Sequence, residues 1–579
     1  MLNKFYQDEL AYLREMGQEF ARAYPEGAHF VGEASKDPDV ERLLEGFAFL
    51  TARVRQKLES DLPEVTQSLI ELFWPHYLRP IPSMTIVQFD VLPQAAKEPH
   101  SVPRGAELLS IPVDGTPCRF RTCFDTPIAA LTLESATLKR DTPPHLKLRF
   151  RLPDGLSLKK LPLSRLRLHL AGDSSVSRAL YVCLCRYLRR ITAQPPGAPQ
   201  ATPLARAAVR PIGFSPEEFL LPFPGNSFTG FRLLQEYFAF PSKFMFVEVE
   251  GLEELAGLGE ASAFDLTFEL SRLPDAMPPV APANLLLNCT PAINLFSHDA
   301  DPLRMDQTRT EYRLRPSGPH PEHFEIYTVD RVSGLVRGTG KPIVYRPLFR
   351  FERPAGAEVR YYRHSLVPSS ADENCDVVIA PVLPPASAET AEIEVLSLEL
   401  TCTNRQLPSK LNVGDLSVAT PTSPTFARFR NISRPTPSVP PPLGGDLHWK
   451  LLSHLALNAQ SLLDLDRFRA LLGLYHFRAR VDRQAEHGLR QLLDGIKRLS
   501  TAPETRLLRG APIRGLSVEV EVDEENLAGE GEAYLFGSIL NNFLSQYVSL
   551  NAFSRLTLKG LKFGEIHTWP IRIGGKTAL

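Results

Sequence analysis

The chain has 579 residues, 43% apolar and 23% charged, an ordinary balance for several cores of about 150 residues each. Its 65 Lys and Arg against 66 Asp and Glu give a net charge of −1, which removes the basic excess needed to neutralise phosphates or to hold an anionic membrane. Proline, at 52 residues or about 9%, is nearly double the usual level of about 5%, and because proline is kept out of helix interiors and central strands, much of the chain must be loops, edges and strand ends, as in a β-rich body with long connections.

In chain order, three helices come first. Leu2, Phe5, Tyr6, Leu10, Leu13, Met16 and Phe20 recur at three- and four-residue steps, up to a stop at Pro25. The second helix opens at Asp37-Pro38, a cap followed by proline at the first helical position. Its stripe is Val40, Leu43, Leu44, Phe47, Leu50, Val54 and Leu58. The third runs from about Pro63 to Trp74, with Val65, Leu69, Leu72 and Phe73 expected to face inward. Short striped helices must bury the stripe, either locally or against another chain.

From Met84 the apolar period changes to two. Segments 84–91, 146–152, 166–170, 264–270 and 393–400 read as half-buried strands. Ser177–Arg190 reads as a helix or a strand, and Leu252–Leu258 as a short helix. Proline-rich connections occupy 194–211, 274–282 and 381–385, and the densest, Arg434 to Gly445, reads as an extended linker. Beyond it, an apolar helix starts at Asp446, a shorter one spans Asp466–Leu472 and ends at Gly473, and another covers 485–498. Strands near 516–522, a helix over 533–548 and a strand over 554–559 complete an α+β pattern. The expected class is therefore α+β and multidomain. A helical region spans 1–83 and a β-rich body 84–430, the body divisible near 193–212. A linker covers 431–445 and an α+β domain 446–579.

Catalytic motifs are missing. Gly334 to Lys341 resembles a phosphate loop but has the wrong spacing, and Pro342 stands where a hydroxyl must hold magnesium, so it reads as a turn. There is no G-x-S-x-G and no H-E-x-x-H. His448, His454 and His476 read as polar rims of a helical core. Seven scattered cysteines lack zinc-site spacing and read as buried thiols in a reducing compartment. Asn288 and Asn431 match the glycan acceptor pattern without a secretory signal. Arg186-Tyr-Leu-Arg-Arg190 reads as a solvated face. The expectation is no catalytic residue, cofactor or metal, no nucleic acid, no membrane insertion and a cytoplasmic location.

Several long blocks are distinctive: 39–50, 72–84, 231–244, 288–296, 401–408, 447–458 and 547–553. In this order they resemble the TssF family (also ImpG or VasA) of type VI secretion baseplate proteins, from the first residues to near 575. The resemblance implies a structural wedge subunit, two copies pairing with one TssG, joined by TssK and TssE around the VgrG hub and docked at the inner-membrane complex. It also implies a helical bundle shared with TssG and contacts between neighbouring TssF copies through the C-terminal domain. Phe5, Leu13, Phe47 and Leu50 are the residues expected at the bundle interface. Two other readings remain: a baseplate protein of a phage-like contractile particle, and a carbohydrate-active β-rich enzyme with Tyr361 and Tyr362 as its aromatic support.

Overall fold

A computed structural model describes residues 6–574 except 8, 17–37, 60–62, 161–162, 224–229, 306–308, 337–341, 349–359, 370–374, 383–393, 444–446, 449–450, 452–463, 509, 547, 549–551, 563 and 565. Phe5, the helix stop at Pro25, His454 and most of the apolar helix after Asp446 lie outside the described residues. The chain divides into two units, Met1–Leu72 with Pro442–Ala456, and Phe73–Pro441 with Leu457–Leu579.

The first unit is helical. Helix α1 covers residues 9–16, α2 Pro38–Glu59 and α3 Pro63–Phe73, the last residue of α3 being the first of the second unit. Asp39 and Glu41 occupy the first turn of α2, where carboxylates oppose the positive end of the helix dipole.

The second unit is built on sheets. Among the described residues a six-stranded sheet runs in the order Leu416–Ala419, Glu107–Val113, Thr116–Thr122, Cys289–Ile293, Met84–Val91, Ala427–Asn431. Met84–Val91 was expected to have one wet face, yet Met84 through Val87 are buried on both. The strand is central, paired antiparallel on each side, so its first half never meets water. His145–Arg151 and Ala263–Leu270 pair antiparallel as the alternation predicts. An eight-stranded sheet carries Glu394–Thr403 beside Glu325–Val336. The phosphate-loop lookalike is where Glu325–Val336 and Pro342–Pro347 pair antiparallel, with 337–341 outside the described residues.

Ser177–Arg190 is both things it was read as. Ser174–Cys185 is helix α4, apolar on nearly all sides and buried, and Leu188–Gln194 is a strand. The short strands Thr202–Pro203 and Ala208–Pro211 sit at sheet edges, where proline's missing N–H costs no ladder bond. The proline-rich segment after Asn431 is extended and held. Thr436 N donates to Met84 O at 2.9 Å, and Ile81 and Val439 exchange backbone bonds at 2.8 and 3.0 Å.

Gly230–Ala239 (α5) explains the 231–244 block. Phe231 stacks on Tyr475 at 4.7 Å and meets Trp74 edge-on at 6.3 Å. The buried Lys243 ammonium donates to Glu236, whose carboxylate also accepts from Leu220 N and Leu221 N at 2.9 Å. A buried carboxylate so satisfied holds its place, and loss of Lys243 alone would strand a charge.

Leu465–Tyr475 (α6) begins at Asp464, which caps Arg467 N at 3.1 Å. It continues through Gly473 rather than ending there, because Leu474 and Tyr475 are buried and outweigh the roughly 1 kcal/mol glycine cost. Helix α7, Arg483–Gly495, stops three residues earlier than expected, since Ile496 enters a ladder opposite Val522. That strand, Ile496–Leu508, was not foreseen. It is a polar edge strand with Pro503 in it and shows little alternation. Ala511–Val522 and Ala552–Gly560 pair in parallel, with α8, Glu530–Ser545, as the crossover.

Candidate interface

On α2 the side chains divide by size. Ala48 and Ala52 are fully buried, whereas Leu43, Phe47 and Leu50 are 73%, 58% and 60% exposed. Residues 43, 47 and 50 share one helix face, so they form an apolar line left open to solvent. Phe47 and Leu50, two of the expected interface residues, therefore lie on this line. Leu13 is half-buried on α1, whose Tyr12 and Met16 are exposed.

The third helix corrects the expected orientation. Thr66, Gln67 and Ile70 are buried, while Leu69 and Phe73, expected inward, are exposed. Leu69 and Phe73 are four apart and form another exposed apolar line, on a helix that buries Ile70 together with the polar Thr66 and Gln67. Leu43, Leu69 and Phe73 were read as stripe residues but not as interface residues, and Phe49 lay outside the stripe. Periodicity reports that a stripe exists but not whether this chain or another covers it. The polar pairs on this unit are exposed, Arg14 with Glu41 at 3.2 Å and Arg42 with Asp39 at 3.6 Å, and contribute little.

The described histidines, cysteines and asparagines that the sequence brought forward are built into the fold. His476 Nδ1 accepts from Ala479 N at 3.1 Å, and burial pushes its pKa down to about 4. His448 bonds Pro442 O at 3.1 Å. None of the seven cysteines is in a disulfide, and burial pushes the thiols of Cys118, Cys123 and Cys183 up to about 12, away from reactivity. Asn431 is buried, accepting from Gly414 N and Leu416 N and donating to Asn412 O and Ser433 O, so no glycan could reach it. Asn288 spans to Ala129 through two bonds of 2.8 and 2.9 Å. Asn294 and Asn404 clasp each other and Arg119 at 2.7–2.9 Å, which accounts for two more of the distinctive blocks. Tyr362 lies in the core of the eight-stranded sheet, not in a sugar-binding cleft. An open cavity of about 580 Å³ has Asp90 as its one acidic lining residue and so lacks the facing carboxylates of glycoside hydrolysis. Among the described residues one group, His320, Glu322 and His323, sets three metal-donor atoms within 4.8 Å of one another.

Comparison with known proteins agrees across sequence and structure. The family model described as "Type VI secretion system, TssF" matches residues 1–576. The type VI secretion system component TssF1 of Pseudomonas aeruginosa is 31% identical, over 100% of this chain and 99% of that protein. A chain of the type VI secretion TssK-TssF-TssG baseplate subcomplex, solved by cryo-electron microscopy, superposes with a TM-score of 0.76. It is 34% identical and covers 92% of this chain and 99% of its own. A chain of a type VI secretion baseplate complex gives a TM-score of 0.64 at 29% identity, over 100% of both.

Proposed function

The chain belongs to the TssF family of the type VI secretion system and is a baseplate subunit, and from that premise we propose that its helical unit docks TssG through a shared bundle. What carries this reading is the outward line Leu43, Phe47 and Leu50 on a helix whose buried side is alanine. Apolar residues at that spacing are what an amphipathic helix offers to another helix. A solved relative assembles with TssK and TssG, so a TssG surface is the natural cover for the line.

On the same reading two copies of this chain flank one TssG, and TssK and TssE complete a wedge at the VgrG hub. The C-terminal α+β region meets neighbouring TssF copies. The protein acts in the cytoplasm at the inner-membrane complex, as scaffold rather than catalyst. The described residues contain no helix long and apolar enough to cross a membrane. Leu13, Phe47 and Leu50, with Phe5 from outside the described residues, are the proposed bundle contacts.

Replacing Leu13→Asp together with Phe47→Asp puts charge on the bundle surface. Expected is loss of TssG from a pull-down, with the β signal in circular dichroism unchanged because the sheets belong to the other unit. Undiminished TssG recovery removes the bundle assignment.

A further inference from the structure

Between the strands Tyr312–Arg313 and Glu325–Val336 the chain turns through Gly318-Pro-His-Pro-Glu-His323. Pro319 and Pro321 fix φ on both sides of His320, and Pro321–His323 closes into a single 3-10 turn. Three donors are thus carried on a backbone with little freedom. His320 Nδ1 is 3.1 Å from Glu322 Oε1, and His323 Nε2 is 4.0 Å from the same oxygen. The two imidazoles lie 4.9 Å apart, nearly parallel.

A second contact comes from elsewhere in the fold. His323 Nδ1 is 2.8 Å from Thr116 Oγ1, on the strand Thr116–Thr122 of the six-stranded sheet. Thr116 is buried, so its hydroxyl is a placed group. Metal-binding histidines are held this way, one ring nitrogen on the ion and the other bonded to a neighbour that sets orientation and tautomer. The nearby Asp114 is already neutralised by Lys410 at 2.5 Å and does not compete.

We infer that His320, Glu322 and His323 bind a divalent transition-metal ion of the zinc class. Two imidazoles and one carboxylate suit zinc, nickel or iron(II) and do not suit calcium or magnesium, which take all-oxygen sets. With bonds of about 2.0–2.2 Å, tetrahedral donors stand roughly 3.3 Å apart. The His320–Glu322 pair is already near that spacing, and the remaining closure is a rotation of exposed side chains. His320 and Glu322 are 49% and 61% exposed in their side chains, against 16% for His323, so His323 is the anchored ligand on which the others converge. Binding at Nε2 makes Nδ1–H a stronger donor to Thr116, so the ion would tighten the tie between this turn and the six-stranded sheet. The inference does not depend on the TssG reading.

The full chain, co-purified with its partners, is stripped with chelator, dialysed against zinc chloride and assayed for bound zinc. Wild type is expected to keep one more zinc per chain than His320→Ala/His323→Ala, with Glu322→Gln as an independent ligand variant. Thr116→Val retains every ligand and should weaken affinity by about 10–100-fold. Equal zinc content in wild type and both ligand variants, including none in any, overturns the site. Unchanged affinity in Thr116→Val overturns the anchoring of His323.

Discussion

His76 is buried between Phe223, at 4.3 Å, and Tyr475, at 6.3 Å, and among the described residues neither ring nitrogen has a hydrogen-bond partner. Burial pushes its pKa down to about 3, with Arg79 and Arg232 adding to the effect, and burial pushes His169 down to about 4. In the unfolded chain these rings titrate near 6.5. Above that pH both states hold them neutral. As pH falls from 6.5 toward 4 only the unfolded chain gains protons, so stability drops by on the order of 1 kcal/mol per histidine for each pH unit. The expected result is a falling thermal midpoint between pH 7 and pH 5. His76→Phe should flatten that fall without loss at pH 7, since it removes buried polar atoms that no described residue satisfies. An unaltered acid slope in the variant counts against this account. The sequence offered Leu72-Phe-Trp-Pro-His-Tyr as a family block and did not show why: Trp74, His76 and Tyr77 are all buried.

Element packing turns on close approach. Helix α8 crosses Trp569 at Gly537, where a Cβ would stand 2.2 Å from the indole, and it meets the α4 backbone at Gly531, where a Cβ would stand 2.5 Å from Arg178 O. Gly537→Ala should therefore cost about 1–3 kcal/mol, read as a lower unfolding midpoint. Gly488→Ala on α7, where a Cβ meets nothing within 4 Å, should instead stabilise by about 0.4–1 kcal/mol. If both variants behave alike, packing at Trp569 is not what selects glycine. Periodicity announced α8, because its apolar residues recur at helical steps, and announced Ala263–Leu270 by alternation. Ile496–Leu508 stayed hidden because an exposed edge strand needs neither pattern. Helix α6 overran Gly473 because the burial of Tyr475 is a tertiary event.

At the scale of the whole molecule the net charge of −1 offers little repulsion between copies, and outward leucines and phenylalanines on α2 and α3 invite association. The chain produced alone should aggregate or fall largely into the insoluble fraction, and co-expression with TssG should restore a soluble species. A monodisperse, solitary chain would contradict the exposed-face argument. The second unit is tied together internally from distant parts of the chain. Its sheets are locked by the Asn294–Asn404 clasp and its C-terminal region is tied in by Phe231, Tyr475 and the Arg178–Glu532 ion pair.

The amino-acid order by itself determined the α+β character, the sites of the strongly alternating strands and the family, since periodicity and long distinctive blocks are local properties of a chain. It also determined that helices with apolar stripes open the protein. Only the tertiary structure decided which side of each stripe is covered, Ala48 and Ala52 inward and Phe47 and Leu50 outward. It alone brought Thr116 to His323 across 207 positions of chain. Burial and juxtaposition depend on the surfaces that meet in space, and no spacing along one segment contains that information.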